Sequence, residues 1–158
     1  MSVGNVDEAK KVVNEWMKDR GFLRSEISNE RAHFGYEGET DTGIRFSVIQ
    51  PKDAARVLIV ISKLDIHPQH LEKLNSMTPV ERAEFLWNLK RDLIFAPPVF
   101  QIHPFEDPDN PTAIEFIKEI SFDELTEGRL MEAMDNVHRC VLWVIWTLNK
   151  FLGQVRQE

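Results

Sequence analysis

Two histidines three positions apart, His67 and His70, have the spacing closest to that of a metal site in this sequence. Residues three apart at the start of a helix can face the same way, and neighbouring carboxylates could add an oxygen ligand. A zinc site needs further nitrogen or sulfur ligands, and these two histidines have no third such ligand close by. Pro68 between them is typical of a helix entry with His67 near its cap. We therefore predict no metal and no cofactor, with a small-ligand pocket or an active site near His67, His70 and His103 as the alternative.

Three further residues could support acid–base or nucleophilic chemistry, and each has a simpler structural interpretation. His103 precedes Glu106 and Asp107, which could form an acid–base cluster but also fit a solvated turn. His138 and Cys140 fall at the edge of an apolar helix face, where a histidine usually bonds a neighbour and a cysteine usually packs. The sequence contains no Gly-rich phosphate loop, no nucleophile elbow and no paired cysteines. The pattern favours a protein that is not an enzyme.

Tryptophans next to cations indicate a contact surface better than any of these groups. Successive residues of a helix are about 100° apart, which puts Trp143 on the polar side of the last predicted helix. Arg139 lies one turn before Trp143, Lys150 lies two turns after it, and Trp146 lies at the margin of the apolar face. An exposed tryptophan beside arginine is typical of an interface anchor, although helix one or a loop could instead cover it. We predict a partner-binding surface at Trp143, Trp146, Arg139 and Lys150, and also at Trp87, which two cations flank.

The element that carries most of these residues is a long amphipathic helix predicted between Leu125 and Val155. Thr126 is a suitable N-cap, and Glu127 places a negative charge at the positive end of the helix dipole. The apolar face is too broad for a coiled-coil seam, which favours a helix that covers a sheet. At the centre of the buried face we expect Met134, Val141, Ile145, Leu148 and Leu152, flanked by Met131, Leu142, Cys140, Val144 and Phe151.

The remaining elements follow from caps, turn residues and apolar spacing. A first helix begins at Asn5, with a capping box to Glu8, and stops at Gly21. A second helical region begins with a short piece and restarts at Thr78, where Glu81 completes a capping box. Apolar runs predict strands around 34–36, 44–48, 57–61, 99–103 and 113–120, the third of them inside the sheet. The predicted fold class is α+β in the order α-β-β-β-α-β-β-α, with an antiparallel sheet packed by the N- and C-terminal helices.

Length and charge limit the classes of protein to consider. The 158 residues fit one domain over residues 1–158 with a single core. A net charge of −7 and a pI near 5.3 disfavour nucleic acid and anionic membranes as partners, because both require a cationic surface. The apolar run 141–152 is shorter than the ~20 residues of a membrane span. The single cysteine, together with the lack of a basic start followed by an apolar stretch, predicts a cytoplasmic protein.

Three segments carry a family resemblance: Asp123-Glu124-Leu125-Thr126, then Arg129-Leu130-Met131-Glu132-Ala133, and the run from Leu142 to Leu148. A weaker likeness covers Val12 to Gly21 and His70 to Leu93. In these segments the chain resembles an uncharacterised, mostly archaeal family assigned to the type III secretion chaperone-like fold. The resemblance implies a small antiparallel sheet flanked by helices in a protein that often dimerises, and it implies no activity.

Together these features predict a non-enzymatic protein-binding module, by analogy a chaperone-like adaptor, that acts through apolar and aromatic surface and forms a homodimer. Its partner is then a protein or peptide received by an apolar groove or a sheet edge, which requires pre-formed pockets and no catalytic residue. One alternative is the small-ligand protein or enzyme described above. The other is a structural subunit of a larger complex, which would place Trp87 and Trp143 at permanent contacts.

Overall fold

The computed structural model describes residues 3–155, in which six strands and four α-helices follow one another along the chain. Helix α1 (Val6–Asp19) precedes the strands β1 (Leu23–Glu26), β2 (Ala32–Glu39), β3 (Arg45–Pro51) and β4 (Val57–Asp65). Helices α2 (Pro68–Ser76) and α3 (Pro79–Leu93) come next, and then strands β5 (Val99–His103) and β6 (Ala113–Ser121). A 3-10 turn, Phe122–Glu124, leads into helix α4 (Glu127–Leu152).

The strands form an antiparallel sheet in the order β1-β2-β3-β4-β6-β5. Two hydrogen bonds show that β4 and β6 run antiparallel. Phe122 N, after the end of β6, donates to Arg56 O, before the start of β4, and Ile66 N, after the end of β4, donates to Thr112 O, before the start of β6, both at 2.9 Å. The α+β class and the antiparallel sheet with helices at both ends of the chain are confirmed. The interior position of β4, the third predicted strand, is confirmed as well, since β3 and β6 flank it.

The element order contains one strand and one helix more than the sequence predicted. Strand β1 escaped prediction because three of its four side chains are exposed, so it lacks an alternating apolar pattern. The helical region after β4, counted as one helix in the predicted order, consists of the predicted short piece, α2, and of α3, which restarts at Thr78 as predicted. The two helices are separate because Met77 and Thr78 both have extended backbone. Pro79 then opens α3 at a position where its missing N–H is not needed.

The predicted caps are mostly present. The α3 capping box between Thr78 and Glu81 is complete, and Thr126 Oγ1 accepts from Arg129 N at 3.1 Å at the start of α4. At α1 the capping box is wrong in one half: the Asn5 side chain accepts from the backbone of Glu8 as predicted, but the Glu8 carboxylate accepts from Gly4 N, one residue further out. The left-handed stop predicted at Gly21 is confirmed by its φ of 74°.

Contacts between residues divide the chain into two compact units, each with a buried core of its own. The first comprises Met1–Ser62 and Ile117–His138, and the second comprises Lys63–Phe116 and Arg139–Glu158. Buried residues of the first include Val13, Met17, Phe34, Phe46, Leu58, Phe122, Leu130 and Val137. Those of the second include Leu74, Leu86, Leu89, Ile114, Phe116, Val141, Val144 and Leu148. The single domain predicted over residues 1–158 stays a prediction.

Helix α4 buries one continuous face over its 26 residues. The face is displaced from the predicted centre: Val137 and Val144 are fully buried, whereas Ile145 is half-buried. Phe151, expected on the buried flank, is exposed, so that part of the prediction is wrong. Neither α4 nor any other helix of residues 3–155 has a stretch long and apolar enough to cross a bilayer.

Gly38 of β2 allows the ring of Phe46 and the tip of Met17 to pack against bare backbone. A Cβ at this position would lie 2.5 Å from Phe46 Cζ and 3.0 Å from Met17 Cε. We expect Gly38→Ala to lower the free energy of unfolding by about 1–3 kcal/mol, because the core must move to admit a methyl group. Urea denaturation measures the change. The control is Gly128→Ala in α4, where the nearest atom is 3.9 Å away and stability should hold or rise; equal stabilities for the two variants would contradict this account.

Cys140 lies in the buried face of α4, and burial raises the pKa of its thiol. We expect iodoacetamide at pH 8 to alkylate Cys140 in the native chain at least about ten times more slowly than in the urea-unfolded chain. Because folding raises this pKa, the stability that the protonated thiol contributes is complete below the unfolded pKa of about 8.5 and falls as pH rises past it. Mass spectrometry of timed samples gives both rates. Native labelling as fast as unfolded labelling would show that the thiol is accessible and reactive.

Candidate functional site

Helix α3 and the second half of α4 border an open groove of about 620 Å³ within the second unit. Its apolar lining consists of Phe85 and Leu89 from α3 together with Trp143, Trp146 and Phe151 from α4. The rings of Phe85 and Phe151 meet edge to face with centroids 6.1 Å apart, which joins the two helices at one point of the groove. The groove is therefore walled by side chains of two helices and has an aromatic surface.

Three of the four aromatic side chains of the groove are exposed to solvent. Trp146 is 61% exposed, Phe151 is 62% exposed and Trp143 is 39% exposed. All nine large apolar side chains that are exposed in residues 3–155 belong to the second unit. Scattered exposed apolar residues need no explanation, but several aromatics around one groove are typical of an interaction site. The groove is the best candidate site of this protein.

Charged side chains form the rim of the groove. Helix α3 contributes Glu81, Glu84 and Asp92 with one opposing charge, Arg91, and α4 contributes Lys150. The Lys150 ammonium lies 5.4 Å from the centroid of the Phe151 ring, at cation–π distance. The combination of an apolar centre and a charged rim is the usual anatomy of a protein–protein interface.

The structure brings together three of the five residues predicted to contact a partner. Trp143, Trp146 and Lys150 line the groove, and of the two indoles Trp146 is the more exposed while Trp143 is mostly covered. Arg139, one turn before Trp143, is not among the lining residues. Trp87 is 66% exposed but lies outside the groove as well, so it marks a different part of the α3 surface. Partner binding by these residues stays a prediction.

Sequence reasoning missed two aromatics of the groove, Phe85 and Phe151. Phe85 lies one turn before buried Leu89 and one position before buried Leu86, so it belongs to the flank of the buried stripe of α3. That stripe could have been found from the spacing of the leucines. The pairing of Phe85 with Phe151 could not, because it depends on two helices that are far apart in sequence.

A second cleft, of about 310 Å³, lies within the first unit. Phe22, Met131 and Met134 supply its apolar lining, and Thr42 and His138 lie at its polar side. His138 Nε2 is 2.8 Å from Thr42 Oγ1, so the predicted neighbour-bonded histidine at the edge of α4 is confirmed. A hydroxyl bonded to an imidazole also has the spacing of a nucleophile and its base. Sequence reasoning missed this pair because its members are 96 positions apart.

The histidines weighed as metal ligands have structural roles instead. His67 Nδ1 accepts from Gln69 N at 3.1 Å, which confirms it as the cap of α2. His70 is buried, and its Nε2 lies 2.7 Å from Gly153 O; a carbonyl only accepts, so the ring donates. The space beside both rings is about 20 Å³, enough for one water but not for a larger ligand. No group of three His, Cys, Asp or Glu residues between 3 and 155 is arranged to hold a metal ion.

His103 faces a different carboxylate from the ones its neighbours in sequence suggested. Its Nε2 lies 3.8 Å from Glu115 Oε1 across the β5–β6 hairpin and makes no hydrogen bond in the described chain. Glu106 and Asp107 are exposed, and the Asp107 carboxylate accepts from Asn110 Nδ2 at 3.1 Å within the turn. The acid–base cluster of His103 with Glu106 and Asp107 is therefore wrong, and the solvated turn is confirmed.

Comparison with known proteins places the chain among proteins of the same architecture. Its fold matches a crystal structure of an uncharacterised protein from Methanothermobacter thermautotrophicus with a TM-score of 0.85 at 26% identity, over 92% of this chain and 99% of the other. A chain of the ExsC–ExsE complex matches with a TM-score of 0.55 at 11% identity, over 97% and 100% of the two chains. A chain of the HopA1–SchA chaperone–effector complex matches with a TM-score of 0.53 at 12% identity, over 85% and 91%. These likenesses establish a type III secretion chaperone-like fold.

The curated proteins include no match to this sequence. A family model described as "uncharacterized conserved protein (DUF2299)" matches residues 9–148, which is most of the chain and includes α3 and almost the whole of α4. The predicted family resemblance is thereby confirmed. This protein belongs to the DUF2299 family of uncharacterised conserved proteins.

Proposed function

We propose that this protein is a non-enzymatic protein-binding module, a chaperone-like adaptor, and that the groove between α3 and α4 is its contact surface. The observation that carries the proposal is the exposure of Trp143, Trp146 and Phe151 around one groove with a charged rim. Large aromatic side chains contribute most to binding when a partner buries them at the centre of an interface. A groove of this kind recognises a protein and needs no reacting group.

The fold supports the proposal in general terms. Proteins with related folds are found in the HopA1–SchA chaperone–effector complex and in the ExsC–ExsE complex. Carried over to this chain, those names suggest a protein or peptide partner. The acidic surface makes nucleic acid an unsuitable partner, and we place the binding in the cytoplasm.

We expect Trp146→Glu to reduce capture of the partner from extracts of the native cell at least tenfold, because the new charge would be buried unpaired at the centre of the interface. Quantitative mass spectrometry of proteins bound to the tagged full-length chain measures the loss. Phe105→Glu is the matched control, since Phe105 is also an exposed aromatic but lies outside both the groove and α3. Trp87→Glu tests the other predicted contact, because Trp87 is exposed on α3 outside the groove. Partner proteins that are lost with Trp87→Glu and kept with Trp146→Glu would move the contact surface away from the groove.

Self-association is the second part of the proposal, and Trp87 is the residue best placed for it. Trp87, Ile94, Phe95 and Val99 remain exposed near the end of α3 and on β5, outside the groove. We expect light scattering after size exclusion to give twice the chain mass of 18.4 kDa, and Trp87→Ala to shift the protein toward the monomer. Trp143→Ala serves as the comparison within the groove. A native chain that is monomeric at high concentration would contradict dimer formation.

The cleft beside Thr42 and His138 supports the alternative function, a small-ligand-binding protein or enzyme. It combines apolar side chains with a hydroxyl–imidazole pair, a common composition for small-molecule sites. The sequence had placed such a pocket near His67 and His70, but the cavity beside those two rings is too small for a ligand. It becomes the leading candidate if the native chain captures no protein through the groove.

A further inference from the structure

We propose that the occupant of the α3–α4 groove is an amphipathic helix of the partner, with basic side chains on the flank that faces α3 and an acidic side chain facing Lys150. The inference rests on the proposed function, because it names the kind of partner that the same groove binds. Three independent features of the groove lead to it: the state of its backbone, its length and its charges.

Most of the backbone along the groove is already hydrogen-bonded within its own helix. All its lining residues lie inside Pro79–Leu93 or Glu127–Leu152, where main-chain N–H and C=O groups bond one another along the helix. At the start of α3 the capping box engages the N–H groups of Thr78 and Glu81. Among the lining residues, carbonyl groups without a partner in their own helix remain only in the last turns, at Arg91, Asp92, Lys150 and Phe151. An extended peptide in this groove would bury main-chain groups without partners, which is unfavourable. A helix satisfies its own backbone and presents only side chains.

The dimensions of the groove suit a short helix. Its α3 wall extends from Glu81 to Asp92, which at a rise of about 1.5 Å per residue is roughly 17 Å, or three helical turns. A partner helix of that length presents two or three large apolar residues on one face, spaced at i, i+3 or i+4, and i+7. These are enough to cover the aromatic surface of Trp143, Trp146 and Phe151.

The charges of the groove distinguish its two walls. Three carboxylates, those of Glu81, Glu84 and Asp92, outweigh the single guanidinium of Arg91 on α3. On α4 the only charged lining residue is Lys150. Glu84, Asp92 and Lys150 form no ion pair within residues 3–155, so their charges remain available. A helix with Lys or Arg on one flank and Asp or Glu on the other matches both walls and binds in one orientation.

A library of random 16-residue peptides, displayed and selected on the immobilised full-length chain, tests this inference. Counter-selection uses Trp146→Glu, whose folding is checked by circular dichroism. Phe105→Glu, at an aromatic residue that is 76% exposed outside the groove, serves as the control that keeps binding. Among recovered peptides we expect apolar residues at helical spacing with a basic flank, and synthetic copies should gain helical signal on binding. Fluorescence anisotropy should show at least tenfold weaker binding when the basic flank is changed to Glu. Glu84→Lys in the protein should then restore part of that loss.

The possible failures separate the inference from the proposed function. Peptides that depend on Trp146 but contain proline, alternate with period two and gain no helical signal would overturn the helical occupant and leave protein binding in the groove intact. A native dimer that Trp146→Glu dissociates would mean that a second copy fills the groove, which also overturns the inference. If no recovered peptide distinguishes the native chain from Trp146→Glu, the groove is not a binding site, and both proposals fail together.

Discussion

The burial of one face of α4 is the constraint on which the rest of the structure depends. Buried residues recur along the whole helix, so each of the two compact units takes part of its core from the same 26-residue element. Each fully buried aliphatic side chain contributes about 1.5–3 kcal/mol relative to an exposed one. No other element of residues 3–155 supplies as many buried side chains. Because that face is committed to packing, the opposite face is free to carry Trp143, Trp146 and Lys150.

The groove lies where aromatic side chains beside the buried faces of α3 and α4 stay partly outside the core. The buried stripe of α3 is narrow and consists of Leu86, Leu89 and Leu93, so Phe85 at its flank is only half-buried. Phe151 lies beside the buried face of α4, and the two rings contact each other. Aromatic surface left uncovered in this way is unfavourable in water. A partner that covers it gains the free energy that the fold itself does not recover.

The polar groups that first suggested chemistry are mostly engaged in holding the fold. His67 caps α2, His70 bonds the carbonyl of Gly153, and Cys140 is buried with its thiol protonated. Within residues 3–155, only Thr42 and His138 combine a reactive pairing with an adjoining cleft. The balance of open aromatic surface over available chemistry is what favours recognition as the function of this protein. The second cleft keeps a small ligand as the alternative, because its apolar lining and its hydroxyl–imidazole pair do not depend on the groove.

Local signals in the sequence determined the helix starts at Asn5, Thr78 and Thr126, the stop at Gly21, the antiparallel strands and the family. Caps and turn residues act on neighbours within one helical turn, and apolar periodicity repeats within one element, so both can be read along the chain. Strand β1 gave no such signal, because its side chains are mostly exposed. The spacing of the leucines could also have given the buried stripe of α3, whereas the exposure of Val80 and Trp87 on the same helix was visible only in three dimensions.

The two candidate sites show where sequence reasoning ends. Trp143, Trp146 and Lys150 were predictable as a cluster because they lie on one side of one helix. The groove also contains Phe85, and the cleft combines Thr42 with His138; in both cases the residues are distant in sequence. Such meetings depend on how whole elements pack, and packing is selected by the total burial of all the elements together. The sequence by itself thus determined the elements and their polarity, whereas tertiary structure alone decided which side chains share a groove.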